Sequence, residues 1–215
     1  MTLIFLQQIL FVKNGLFDYI CKMNLKHNKE KVIETGLLLF CSKGYSNLGI
    51  DEICKSTGMT KGAFYNAFKS KEQFLLTTIS AYGEMTINHL NKKLNHNKNK
   101  AIDRLLGMYE NMFDMQPGNN YTGCMINNIM SELGSTNEMV SKATAIEFER
   151  FLSIIEPVVV EAQEDGDIIN TVNSGAITEL LHSTFYGALT RAKSTREFNH
   201  GKETMTLLIN SLKGK

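Results

Sequence analysis

The sequence predicts an all-α fold of about nine helices, and three observations carry that prediction. Only two of the 215 residues are proline, the residue that interrupts a helix by lacking an N–H and clashing with the preceding turn. Apolar residues recur three and four apart over most of the chain, the spacing that lines one face of a helix. No stretch of useful length alternates apolar and polar residues as a half-buried strand does. An apolar share of 43% supports a packed core and excludes a disordered chain.

Taken in order, Val32, Ile33, Leu37, Leu39 and Phe40 predict a helix over 28–43, closed by Gly44 at its C′ position. A second helix fits Ile50 to Ser56, with Ile50, Ile53 and Cys54 facing inward. Thr57-Gly58-Met59 is a tight turn, and Thr60 is placed to cap a third helix that ends at Phe68. Ser70 and Gln73 form a capping box for a long fourth helix, carried by Phe74, Leu75, Ile79, Tyr82, Met85, Ile87 and Leu90 to about Leu94. Asn95 to Lys100 is a polar linker. Further helices are predicted over Ile102–Met115, Gly123–Leu133 and Asn137–Glu164, with Pro157 a kink or break in the last. Asn173 or Ser174 caps a helix to about Lys193, and Lys202–Leu212 forms the last.

The domain reading is an N-terminal extension over 1–24, a small helical domain over 25–85 and a larger helical body over 86–215. Leu3 to Val12 is apolar but interrupted by Gln7 and Gln8, follows no positive charge and is too short to span a bilayer. Either residues 1–22 precede a biological start at Met23, or they form a helical arm. No membrane association is expected.

Composition also narrows function. Cys21, Cys41, Cys54 and Cys124 form no C-x-x-C pair and lack histidines at zinc-finger spacing, so neither a metal nor a disulfide framework is expected. Scattered thiols suit a reducing cytoplasm. His27, His89, His96, His182 and His200 are scattered, and no nucleophile elbow, H-E-x-x-H or phosphate loop is present. The expectation is a protein that is not an enzyme and needs no cofactor.

The formal charge of +1 speaks against nucleic acid until it is divided along the chain. Residues 1–72 carry 10 Lys/Arg and 6 Asp/Glu, a balance of +4, whereas the remainder carries 13 and 16, a balance of −3. A basic head on an acidic body suits a DNA-reading domain joined to a sensing domain. The three short helices before residue 69, with a glycine turn between the second and third, read as a helix-turn-helix. Thr60-Lys61-Gly62-Ala63 puts small and cationic residues at a helix N-terminus, where backbone N–H groups attract phosphate. Tyr65 and Asn66 add hydrogen-bonding groups, and Lys71 is a phosphate candidate.

Residues 44–75, GYSNLGIDEICKSTGMTKGAFYNAFKSKEQFL, resemble the DNA-binding signature of the TetR/AcrR family of bacterial transcriptional regulators. The match runs through Gly44-Tyr45, Ile50, Ile53, Gly58-Met59-Thr60-Lys61-Gly62, Phe64-Tyr65, Phe68 and Ser70-Lys71-Glu72. The resemblance implies a homodimer that reads a palindromic double-stranded operator and is released by a small-molecule effector. By that resemblance Thr60, Lys61, Gly62, Ala63, Tyr65, Asn66 and Lys71 face DNA. Members usually carry Ser or Thr where this chain has Leu48 and Gly49, so one helix-capping, phosphate-touching hydroxyl is missing. A TetR-like protein that binds a ligand or a protein but has lost DNA recognition is the alternative.

In the body, Tyr109, Phe113 and Phe148 are candidate effector-lining residues on predicted helices. Thr122-Gly123-Cys124-Met125-Ile126-Asn127-Asn128, followed by Glu132, resembles a segment of the NemR/AcuR-like subgroup. Cys124 is there either a reactive thiol at a helix N-terminus, with Asn127 beside it, or a small packing residue. Leu180, Leu181, Phe185 and Leu189, with Met205, Leu208, Ile209 and Leu212, offer the apolar faces expected of a four-helix dimer interface built from the last two long helices.

Overall fold

The computed structural model describes residues 29–95 and 99–214. The 1–24 extension, the choice between its two readings and Cys21 lie outside the described residues, as does the middle of the Asn95–Lys100 linker. Among the described residues there are nine helices: α1 (Lys29–Lys43), α2 (Ile50–Thr57), α3 (Lys61–Phe68), α4 (Lys71–Leu94), α5 (Ala101–Asp114), α6 (Met125–Leu133), α7 (Glu138–Glu164), α8 (Ser174–Thr195) and α9 (Asn199–Ser211). Among the described residues the only β-type pairing is an isolated bridge between Ile168 and Lys213.

The local signals operate as read. Gly44 adopts φ +73° and its N–H bonds to Phe40 O at 3.0 Å, closing α1. Thr60 Oγ1 accepts from the Ala63 N–H at 3.2 Å and opens α3. Ser70 Oγ accepts from the Gln73 N–H at 3.0 Å. Asn173, rather than Ser174, caps α8, accepting from the Ala176 N–H at 3.3 Å. Pro157 sits inside an uninterrupted α7, so it does not break the helix.

The described chain forms two compact units. The first holds residues up to 85 together with 124–147; the second holds 86–123 and 148–214. The segment 124–147, which the sequence reading assigned to the 86–215 body, therefore packs with the helix-turn-helix. The division falls within α4 and within α7.

In the first unit four phenylalanines make the core. Phe74 of α4 has its ring centroid 5.7 Å from Phe40, 5.4 Å from Phe64 and 4.7 Å from Phe68. Phe64 and Phe68 meet it because they lie four apart on α3. Gly36 of α1 faces the Phe74 ring so closely that any Cβ there would collide with it. Leu48 is 1% exposed, so it fills this core where a hydroxyl was expected.

In the second unit Ile177, Leu181, Phe185 and Leu189 form a fully buried stripe along α8, and Met205 and Ile209 are buried on α9. Leu181, Phe185, Leu189, Met205 and Ile209, expected at a subunit interface, are buried within their own chain. Of the α8 set only Leu180 is exposed, at 45%. The reason is periodic: a stripe at steps of four cannot serve the protomer core and an outside partner at once. Buried Arg104 donates from Nη1 to Leu94 O at 2.6 Å and ion-pairs with Glu161.

Candidate functional site

The α2–α3 turn depends on Gly58, whose φ of +72° is open to glycine at no steric cost. The Met59 N–H then bonds back to Cys54 O at 3.0 Å and ends α2. Gly49 precedes α2 with no side-chain hydrogen bond, so the helix start lacks the cap that a hydroxyl would provide. Thr57 does not replace it, because its hydroxyl donates to Ile53 O at 2.7 Å at the other end of the helix.

Thr60, Lys61, Gly62, Tyr65 and Asn66 are exposed, and Ala63 is half-buried. They share one face because Phe64 and Phe68 turn the other face of α3 inward. A Cβ built on Gly62 meets no atom of the described residues within 4 Å, so among them the backbone there is open to another molecule. The Lys61 ammonium is 2.6 Å from the Asp51 carboxylate, and this hydrogen bond raises its pKa. Lys55 and Lys69 add exposed cations that sequence reasoning did not single out.

Lys71 lies elsewhere. Its ammonium donates to Tyr45 O at 3.0 Å and Leu48 O at 2.9 Å, and sits 3.9 Å from the Tyr45 ring centroid. Burial lowers its pKa, with Glu132 acting in the opposite direction. Two of its three N–H donors hold the α1–α2 turn.

Glu132 grips the same turn from α6. Its carboxylate accepts the Tyr45 N–H at 2.9 Å and the Ser46 N–H at 2.7 Å. Burial would raise its pKa, but hydrogen bonds from Ser46 and Tyr45 and the Lys71 charge outweigh that and hold the carboxyl below the usual range. Cys124 is buried at the N-cap of α6. The Tyr82 hydroxyl hydrogen-bonds with it and accepts the Met125 N–H; burial first, then Cys124 and Cys41, push the Tyr82 phenol well up. Asn127 is half-buried on α6 and accepts the Ser131 hydroxyl at its carbonyl, 2.8 Å away.

Tyr109, Phe113 and Phe148 fall in the second unit, whereas Cys124 and Asn127 fall in the first. Tyr109 and Phe113 are fully buried. They gather around Phe185, which the sequence placed on an interface face, and His182, which it left as one scattered histidine: Phe185 lies 5.4 Å from Tyr109 and 5.2 Å from Phe113, and His182 lies 5.4 Å from Phe148.

Residues 32–78 match the family described as bacterial regulatory proteins, tetR family, and residues 101–208 match the tetracyclin repressor-like C-terminal domain. The chain belongs to the tetR family of bacterial regulatory proteins. The transcriptional repressor DhaR of Mycobacterium sp. strain GP1 is 23% identical over 184 residues, which are 86% of this chain and 91% of that one. The transcriptional regulator AcuR of Cereibacter sphaeroides is 28% identical over 166 residues, 76% of this chain and 75% of its own. In fold, the crystal structure of the reduced form of Escherichia coli NemR matches with a TM-score of 0.75 at 19% identity, over 84% of this chain and 94% of that one.

As a TetR-family member the chain is a DNA-binding transcriptional regulator, and such regulators bind operators and act as dimers. Its relatives are regulators rather than enzymes. Among the described residues no helix is long and apolar enough to cross a membrane, and no three His, Cys, Asp or Glu side chains gather to hold a metal. Glu132 follows Asn128 in the segment read from the sequence, but nothing local shows that it holds the Tyr45 and Ser46 N–H groups. His182 gave only a weak signal: three and four positions before Phe185 and Tyr186, it lies on their helix face.

Proposed function

We propose that this TetR-family chain is a repressor that binds a palindromic operator as a homodimer and is released by a small-molecule effector. The observation that carries the reading is the open N-terminal turn of α3. Thr60 caps it, Lys61 flanks it, and the space above Gly62 is empty. Backbone N–H groups and Lys61 suit phosphate; Tyr65 and Asn66 suit base edges, Asn above all adenine. Lys71 serves this surface indirectly, by fixing the α1–α2 turn while keeping one N–H for phosphate. The hydroxyl missing at Leu48 and Gly49 removes one phosphate contact, but the helix-turn-helix over the matched residues is otherwise complete, which favours DNA recognition over its loss.

The dimer contact is assigned to the outward sides of α8 and α9. Leu207 is 72% exposed, Leu180 is 45% exposed, and small residues Gly187 and Ala188 line a groove of about 370 Å³ between the two helices. The effector is assigned to the second unit around Tyr109, Phe113 and Phe148. Cys124 is read as a packing residue. Its thiol is buried at a helix cap and shares a hydrogen bond with Tyr82, an arrangement that stabilises α6. The protein is placed in the cytoplasm, where its DNA is.

The test is an electrophoretic shift with the DNA immediately upstream of the chain's own gene, at low salt, with wild type and Asn66→Ala. Binding that is lost in the variant supports the reading; no shift with this or any neighbouring promoter overturns it.

A further inference from the structure

The second unit buries two polar side chains, those of Tyr109 and His182, that find no hydrogen-bond partner among the described residues. His182 is 1% exposed and Tyr109 is 0% exposed, and among the described residues neither imidazole nitrogen nor the Tyr109 hydroxyl has a hydrogen-bond partner. Their ring centroids are 6.2 Å apart. Around them stand Phe148, Phe151, Phe185 and Tyr186, with centroids 5.4, 6.3, 5.7 and 4.7 Å from the imidazole. A buried donor or acceptor left unpaired is costly, and a packed core normally avoids it or fills it with water. Two such groups side by side inside an aromatic cage are the arrangement of a ligand site: mostly apolar walls with a few convergent polar groups.

We infer that Tyr109 and His182 are the polar anchors of the effector site, and that the site takes a small, uncharged aromatic molecule bearing one hydroxyl or carbonyl group. The inference rests on the effector reading above and narrows it. The aromatic character follows from the surrounding rings, which offer edges and faces to a planar guest. Absence of charge follows from the anchors. Burial pushes the imidazole pKa down to about 4, so at neutral pH the ring presents one N–H and one lone pair. Burial also keeps the Tyr109 phenol protonated. A guest hydroxyl can accept from Tyr109 and donate to the bare imidazole nitrogen; a carbonyl can accept from Tyr109 and from the imidazole N–H. A carboxylate would enter this cage without a counter-charge, which is strongly unfavourable.

The test uses p-cresol as probe, with toluene and benzoate as controls, by calorimetric titration of the full chain at pH 7.5. The expected result is that p-cresol binds, and that toluene and benzoate bind at least tenfold more weakly. His182→Phe and Tyr109→Phe should each weaken p-cresol at least tenfold. Both replacements put apolar atoms into an apolar cage, so the ligand-free His182→Phe protein should unfold at a temperature no lower than wild type. That guards against a variant that merely fails to fold. No binding of p-cresol to wild type, or equal binding to His182→Phe, overturns the inference. Release of the upstream DNA separates the two claims. If p-cresol binds through His182 but leaves the DNA complex intact, the site stands and the effector reading falls. If some other small molecule releases DNA equally from wild type and His182→Phe, the effector reading stands and this site falls.

Discussion

The carboxylate of Glu132 lies 2.7 Å from the point that a Cβ on Gly44 would occupy. Gly44 is thereby constrained twice: its φ of +73° favours glycine, and its bare Cα lets the carboxylate reach the Tyr45 and Ser46 N–H groups. The pair joins α6 to the turn that leads into the helix-turn-helix, within one compact unit. Glu132→Ala should lower stability by about 1–2 kcal/mol, the usual cost of leaving partly buried donors unpaired. Glu132→Gln, keeping one carbonyl acceptor, should lose less. Gly44→Ala should lose at least as much, since left-handed backbone strain adds to displacement of the carboxylate. Urea unfolding of the three variants checks the order. Gly44→Ala as stable as wild type would refute this account of the turn.

The sign of the pH effect follows from the same contact. The folded Glu132 carboxyl is held below its ordinary value of 4.5. Its contribution is complete above that value and is lost as pH falls through the folded one. Between pH 5 and pH 3 the wild type should lose more stability than Glu132→Gln, measured as the difference between their urea midpoints.

Much of this architecture was legible because local signals agreed. Gly44, Gly58, Thr60 and the Ser70–Gln73 pair each specify a helix end by backbone geometry or a short-range hydrogen bond, so each could be read within four residues. The helix-turn-helix face was legible for the same reason: Phe64 and Phe68 fix which side of α3 is inside. What was hidden is long-range. Nothing local to Lys71 shows that Tyr45 and Leu48, 26 and 23 residues away, accept two of its N–H donors. His182 looked like one scattered histidine until Tyr109 and Phe148 arrived from other helices. The apolar faces of α8 and α9 were seen correctly, but periodicity does not say whether a face meets its own core or a second chain.

Lys61 is held by Asp51, a partner that a phosphate at the proposed DNA-facing surface would have to displace. Asp51 takes its ammonium at 2.6 Å in solvent. Asp51→Asn should free Lys61 for phosphate and remove a negative charge from the DNA-facing unit. Binding to the upstream DNA should tighten at low salt, and the slope of log affinity against log salt should steepen by about 0.9 per protomer, the value of one extra phosphate contact. Fluorescence anisotropy over a salt series measures both. An unchanged slope would mean that Lys61 makes no phosphate contact in the complex.

Gly62 separates stability from DNA binding. The space beyond its Cα is empty, so Gly62→Ala meets no steric obstacle in the free protein and should gain up to about 0.5–1 kcal/mol of helix stability. If DNA backbone occupies that space, the same methyl group should weaken operator binding by about tenfold, equivalent to about 1.4 kcal/mol. Thermal unfolding and DNA titration on one preparation give both numbers. A more stable protein that binds DNA as tightly as wild type would place the DNA elsewhere on α3.

His182 should make the fold acid-sensitive with a sign opposite to that of an ion-paired histidine. Burial lowers its folded pKa from 6.5 to about 4. Above 6.5 the ring is neutral both folded and unfolded, and stability does not depend on it. As pH falls from 6.5 towards 4 the unfolded chain gains a proton that the folded chain refuses, so the balance moves towards unfolding. At 1.36 kcal/mol per pH unit, the full window amounts to about 3 kcal/mol. Carboxylates such as Glu132 also cost stability on acidification, so the measurement is a double difference: wild type against His182→Phe, each unfolded in urea at pH 7.5 and at pH 4.5. The gap between the two proteins should widen by about 2–3 kcal/mol at the lower pH, with the phenylalanine variant more stable. A constant gap would mean that the imidazole is protonated or hydrated inside the fold, and would remove the neutral anchor on which the ligand assignment depends.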